Sequence, residues 1–204
     1  AYKVQLAPPA VTVGKSGRVD GDLVLAVGDF YGQKNYPTLV RAFALLLQKR
    51  PGSKLVIAGK AIDSGVRDEV IALVRELGVA GGVTLPGSVP HDKLMEMMGR
   101  AAVFVSTSEA ETVQIPLLEA MAMGVPVVAA KAPHSEEFVG EAGLLIPVEK
   151  GGDLPSAFAV AIYGVLENVA VSGALKRKGL ARMAGRNWAG TASVILEALA
   201  GVVR

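Results

Sequence analysis

Short apolar runs alternate along this chain with longer segments in which apolar residues recur three and four positions apart. Runs of the first kind predict buried strands, and segments of the second predict helices with one apolar face. On this reading strands fall at Leu23–Val27, Lys54–Ala58, Val83–Leu85, Ala102–Val105, Val125–Ala129 and Leu144–Ile146. Helices fall between them at Pro37–Lys49, Val66–Leu77, Asp92–Met98, Pro116–Met123 and Ser135–Gly140. Beyond Ile146 the period is helical throughout, with helices expected at Leu154–Val171, Gly173–Ala184 and Trp188–Val203. Strands that alternate with helices mark βαβ units, so the pattern predicts an α/β fold: a doubly wound, parallel, six-stranded sheet with a helical C-terminus. Such sheets bind ligands beyond the carboxyl ends of their strands, which directs attention to the loops that follow strands. Residues 1–22, rich in proline and glycine, read as a lead-in or former inter-domain linker, and residues 23–204 as one domain.

Composition narrows the partners. At 204 residues the chain fits one large core, and 51% hydrophobic against 20% charged residues supplies ample material to fill it. A mean hydropathy of +0.42 is high for a free-standing monomer. The net charge of +2, from 21 basic and 19 acidic side chains, is too even to argue for nucleic acid or a membrane surface. With no cysteine and two histidines, disulfides, thiolate chemistry and a histidine-based zinc site are set aside. The N-terminal segment lacks a signal-peptide pattern, and no apolar run reaches the ~18 to 20 residues of a membrane span. The run Ser156–Leu166, closed by Glu167, reads as a buried helix face, and a cytoplasmic location is expected.

Two strand-to-helix loops carry candidate chemistry. In GDFYGQKNYPTLVRAF the first strand ends in a glycine-containing turn, Lys34 and Asn35 follow, and Pro37 opens a helix. Proline is preorganised at a first helical position, and the free N–H groups there favour an anion that a lysine can share. The plainer reading of Lys34 is a solvated surface cation. In STSEAETVQIPLLEAMAMGVPVV, Glu111 lies in the loop and Glu119 within the helix opened by Pro116, so both acids can face one cleft. Carboxylates accept hydrogen bonds from paired sugar hydroxyls. Read plainly, Glu119 complements the helix N-terminus, worth ~0.3–1 kcal/mol, and Glu111 is a solvated loop acid. His91 reads as a polar neighbour of a helix start. His134 and Ser135 lack a nucleophile-elbow sequence, so Ser135 reads as a capping residue.

The segment ETVQIPLLEAMAMGVPVV resembles the E-x7-E motif of glycosyltransferase family 4, retaining enzymes of the two-domain GT-B fold. GDFYGQKNYPTLVRAFALL is similar to that family's first nucleotide-binding loop, VTLPGSVPHDKLMEMMGRAAVFVSTS to its base-binding loop and next strand, and NWAGTASVILEAL to its closing helix. The resemblance covers about residues 23–200 in the family's order, and implies a Rossmann-like, GT-B C-terminal domain. It implies that Lys34 meets the diphosphate of a nucleoside diphosphate sugar, that Glu119 binds the ribose hydroxyls, and that Glu111 lies near the transferred sugar. Gly87, Ser88 and Val89 would meet the base through backbone groups, and Val113, Gln114 and Ile115 would offer N–H groups to sugar and phosphate. No metal and no cofactor are implied, the nucleotide sugar being a substrate.

Two departures stand out. Asp29 occupies the place of a usual arginine and would oppose a diphosphate, and Thr112, Val113 and Gln114 replace a Gly-Phe-Gly whose glycines allow close backbone approach. The resemblance also implies a second, N-terminal acceptor-binding domain as partner, without which this chain alone is expected to be inactive. Phe30, Tyr31, Val113 and Ile115 would then form an exposed apolar patch, and a homodimer that covers it is a further expectation. Two readings stay open: the donor-binding half of a hexosyl transferase, or a non-catalytic module that acts by binding a partner domain. A related epimerase or phosphorylase is not separated from these by fold alone.

Overall fold

The computed structural model describes residues 19–149, 151–184, 186 and 188–202; positions 1–18 of the expected lead-in, and Val203 of the closing helix, lie outside them. Six parallel strands form one sheet: β1 (Leu23–Val27), β2 (Lys54–Ala58), β3 (Val83–Gly87), β4 (Val103–Ser106), β5 (Val127–Ala130) and β6 (Leu144–Ile146). Their spatial order is β3-β2-β1-β4-β5-β6, so the chain winds outward from β1 and then returns to wind the other way from β4. The doubly wound Rossmann-like expectation holds. Helices connect the strands: α1 (Tyr36–Lys49), α2 (Ser64–Glu76), α3 (His91–Arg100), α4 (Ile115–Ala122) and α5 (Pro133–Phe138), followed by α6 (Leu154–Glu167), α7 (Val169–Met183) and α8 (Trp188–Val202).

Strand sequences without polar alternation are required here because both faces are covered. Val24 and Ala26 of β1, Val103 and Val105 of β4, and Val128 and Ala130 of β5 enter one core, with residues of α1, α2 and α6. Their neighbours Leu23, Leu25, Phe104, Val127 and Ala129 enter the other, with residues of α3 and α4. The two-residue period of a strand thus feeds two cores from one apolar run. Arg50, which caps α1, ties the layers together through Asp22 at the entry to β1 (Nη2–Oδ1 2.9 Å) and Glu167 at the end of α6.

The structure differs from the sequence reading mainly at element ends. The long helix expected over Leu154–Val171 stops at Glu167, because Asn168 turns extended and its Oδ1 accepts from the N–H groups of Ala170 and Val171 to start α7. The two helices meet at a bend of 95°. The fifth helix begins at Pro133, and Ser135, fully buried at its third position, reaches back to accept from the Ala132 N–H at 2.9 Å. That Ser135 serves the helix start agrees with the sequence reading. Among the described residues no single helix is long and apolar enough to cross a membrane.

Candidate functional site

The winding reverses between β1 and β4, and there the loops of opposite halves diverge to leave a crevice. The β1–α1 loop forms one wall. Its 3-10 turn, Gly32–Lys34, leads into Asn35, whose left-handed φ of 48° redirects the chain into α1. Asparagine tolerates that region better than most residues do. Tyr36 then packs its buried ring against Phe30, with centroids 5.0 Å apart, and donates its hydroxyl to the Gly28 carbonyl at 2.6 Å. Burial, and secondarily the carboxylates of Asp29 and Glu111, push the Tyr36 phenol well above its ordinary range.

The β4–α4 loop forms the other wall and is laced to the first. Thr107 Oγ1 donates to the Lys34 carbonyl at 2.8 Å, the Glu109 N–H to the Gln33 carbonyl at 3.0 Å, and Asn35 Nδ2 to Glu109 Oε1 at 2.7 Å. At the centre the Lys34 ammonium meets Glu111 Oε1 at 2.5 Å, and the Ser108 hydroxyl donates to the same oxygen at 2.7 Å. The two side chains of the pair are only 13% and 15% exposed, so neither is the solvated charge of the plainer reading. Among the described residues no backbone acceptor faces the N–H groups of Thr112, Val113, Gln114 and Ile115, which precede or open α4. They form a donor set of the kind that receives anions.

Glu119 lies one turn into α4 and is buried. Burial holds its carboxyl above the ordinary carboxylate range, while the His91 imidazole, Nε2 to Oε1 3.9 Å, pulls the other way. His91 opens α3, two residues after Val89. Gly87 ends β3 with a φ of 75°, and its carbonyl accepts from Gly59 N–H at 3.0 Å. Ser88 and Val89 line a cavity of about 130 Å³ with Gly28, Asp29, Gly59 and Lys60. Of the residues named from sequence, the structure pairs Lys34 with Glu111, and sets Glu119 beside His91, two residues after the loop of Gly87, Ser88 and Val89.

Two expectations change. Phe30 is wholly buried rather than part of an exposed patch: its N–H bonds to the Lys60 carbonyl and its carbonyl accepts from Asp63, which draws the ring inward. Tyr31, Val113 and Ile115 are exposed as expected. Asp29 accepts the Lys60 N–H on Oδ1 at 2.8 Å and keeps its charge beside the cavity lined by Ser88 and Val89. Gln114 does not block the crevice from above; its side chain is buried, with Nε2 donating to Ser106 Oγ at 2.6 Å and Oε1 left without a partner.

Sequence reasoning set aside His91 and His134 and did not single out Ser108 as an individual contact. The nearness of His91 to the base loop was a usable signal. His134 is buried within electrostatic reach of Lys34 and Glu111; burial lowers its pKa, with Glu111 raising it and Lys34 lowering it in turn. Its adjacency spans 23 positions from Glu111 (134 − 111) and carries no local signature. Among the described residues no group of three or more histidines and carboxylates is arranged to hold a metal ion.

Comparison with known proteins agrees with this architecture. Residues 21–168 match the family described as "Glycosyl transferases group 1". The chain is 32% identical to the D-inositol 3-phosphate glycosyltransferase of Acidothermus cellulolyticus over 99% of its own length and 48% of that protein's. It superposes on sucrose-phosphate synthase from Thermosynechococcus elongatus with a TM-score of 0.77 at 29% identity, covering 90% of this chain and 46% of that one. For Anabaena HepE, in a complex with UDP and glucose, the values are 0.78 and 23%, covering 88% and 48%. The chain thus spans about half the length of the curated relatives it matches. The sheet order, the crevice and these matches agree that the chain is a Rossmann-like domain of the GT-B type and belongs to the group 1 glycosyl transferases.

Proposed function

We propose that this chain is the donor-binding half of a retaining glycosyltransferase that transfers a hexosyl unit from a nucleoside diphosphate sugar. The observation that carries the reading is the largely buried Lys34 ammonium on the loop after β1 together with the unpaired N–H groups that open α4 on the loop after β4, a cation and a donor set on the two walls of one crevice. In this reading the diphosphate lies between Lys34 and the N–H groups of Val113, Gln114 and Ile115. Glu119 accepts the ribose hydroxyls, the base rests on the backbone of Gly87, Ser88 and Val89, and Glu111 faces the sugar. Charge that builds on the leaving diphosphate during transfer is stabilised by groups already in place, which is where such sites gain most of their rate.

Transfer also needs an acceptor hydroxyl held against the anomeric carbon, and positioning of that kind supplies ~7–11 kcal/mol of barrier reduction. We assign it to a second, N-terminal domain, as the half-length match to the relatives supports. The exposed Tyr31, Val113 and Ile115 border the crevice and suit such a partner, or a second copy of this chain. A cytoplasmic site of action fits a nucleotide-sugar donor. Calorimetric titration with UDP, GDP and ADP tests the reading. Saturable binding of at least one is expected, weakened by roughly 1–3 kcal/mol in Glu119→Ala. No binding of any at millimolar concentration would favour a non-catalytic module.

A further inference from the structure

We propose that the Lys34–Glu111 ion pair lets the site distinguish a sugar-bearing donor from the spent nucleoside diphosphate. The inference rests on the assignment of Lys34 to the diphosphate. In the structure the ammonium already holds an anion: Glu111 Oε1 at 2.5 Å, with the Ser108 hydroxyl on the same oxygen. The Ser108 proton can serve one acceptor, and 2.7 Å to Glu111 outranks 3.3 Å to the Gln33 carbonyl. A phosphate that reaches Lys34 finds one of its three N–H donors already on a carboxylate, and repulsion between the two anions drives Glu111 off the ammonium.

The exchange is confined to side chains because the surrounding backbone is clamped. The Lys34 carbonyl is held by Thr107, the Gln33 carbonyl by Glu109, and Asn35 by the Glu109 carboxylate. Lys34 also lies along Gly28, with Cε and Nζ each 3.0 Å from where a Cβ would stand, so the missing side chain at Gly28 gives the lysine its place beside β1. The displaced Glu111 keeps Ser108 and loses its cation while still largely shielded from water. A partly buried carboxylate without its counter-charge is costly. Paired sugar hydroxyls can replace the lost contact, and a bare diphosphate cannot. The cost of breaking the pair thus falls on the nucleoside diphosphate alone, which eases its departure after transfer, and is relieved when the donor carries its sugar.

Glu111→Gln removes the competing charge at nearly constant shape. With inorganic pyrophosphate as a probe that needs no base, the variant is expected to bind about tenfold more tightly than the wild type, and with UDP and UDP-glucose its preference for the sugar-bearing form is expected to shrink. A variant that binds pyrophosphate no better than wild type would overturn the exchange. In the wild-type chain, the carboxyl carbon signal of Glu111 should move as pyrophosphate is added, and a signal that stays put at saturation would overturn it equally. Lys34→Gln separates this inference from the one beneath it: pyrophosphate binding undiminished in that variant would remove Lys34 from the diphosphate site altogether.

Discussion

The imidazole of His91 stands 3.9 Å from the carboxylate of Glu119, Nε2 to Oε1, and so joins the first residue of α3 to the buried second turn of α4. His91 is largely exposed and Glu119 is not, so the pair places one end of a charge contact in water and the other under the sheet edge. Desolvation outweighs the histidine and raises the Glu119 pKa above its ordinary 4.5. A carboxyl raised in the folded state binds its proton more tightly there than in the unfolded chain. Stability then falls as pH rises from 4.5 through the folded pKa, and the cost is fully present at neutral pH. Glu119→Gln is expected to be the more stable protein in urea at pH 7 and to lose that advantage below pH 4.5. An advantage independent of pH would show that ionisation of Glu119 is not its source.

His134 is expected to titrate below 6.5, since burial disfavours its charged form. The folded chain then binds fewer protons than the unfolded chain just below pH 6.5, and stability falls as pH drops through that window. Imidazole NMR signals followed from pH 8 to 5 read the midpoint directly. His134→Gln should lose less stability than wild type over the same range.

Gly59 at the end of β2 permits the closest backbone approach beside the crevice: a Cβ there would lie 1.9 Å from the Gly28 carbonyl oxygen. Gly59→Ala must push apart the turns after β1 and β2, at an expected cost of roughly 1–3 kcal/mol or more. Gly81, where an added Cβ meets nothing within 4 Å, is the control, and Gly81→Ala should stay within about 0.5 kcal/mol of wild type. Thermal unfolding of both variants gives the comparison.

Tyr31, Val113 and Ile115 present apolar surface along the rim of the crevice. Sedimentation at rising concentration is expected to show self-association that Val113→Asp reduces. A chain that stays monomeric throughout, with the variant unchanged, would mean that this rim does not seek a partner copy.

Much of the fold was legible because its signals are local. The run LVLAV and, after its leading lysine, KLVIA are apolar on both faces, and each became an interior strand of the sheet with the expected bounds. The break at Asn168 was not, because helix period continues across it and only the capping geometry of one side chain ends the first helix. At the site, Lys34 and Glu111 were each visible as candidates. That their loops meet at one sheet edge was expected, but the direct ion pair across 77 positions was not, since it depends on how the loops after β1 and β4 are laced together. Gln114 shows the opposite failure: read as an obstacle to ligand, it turns inward to Ser106, because its position at the start of α4 faces the sheet edge rather than solvent.

A crystal of the chain soaked with the nucleoside diphosphate that binds most tightly tests the donor-site account most directly. The account places the diphosphate within hydrogen-bond distance of Lys34 Nζ and the N–H groups that open α4, the ribose on Glu119, and the base against Gly87, Ser88 and Val89, with Glu111 turned away from Lys34. A nucleotide seated elsewhere, such as the apolar groove between α1 and α6 beside Lys49 and Tyr163, or one that leaves Lys34 untouched, would contradict it.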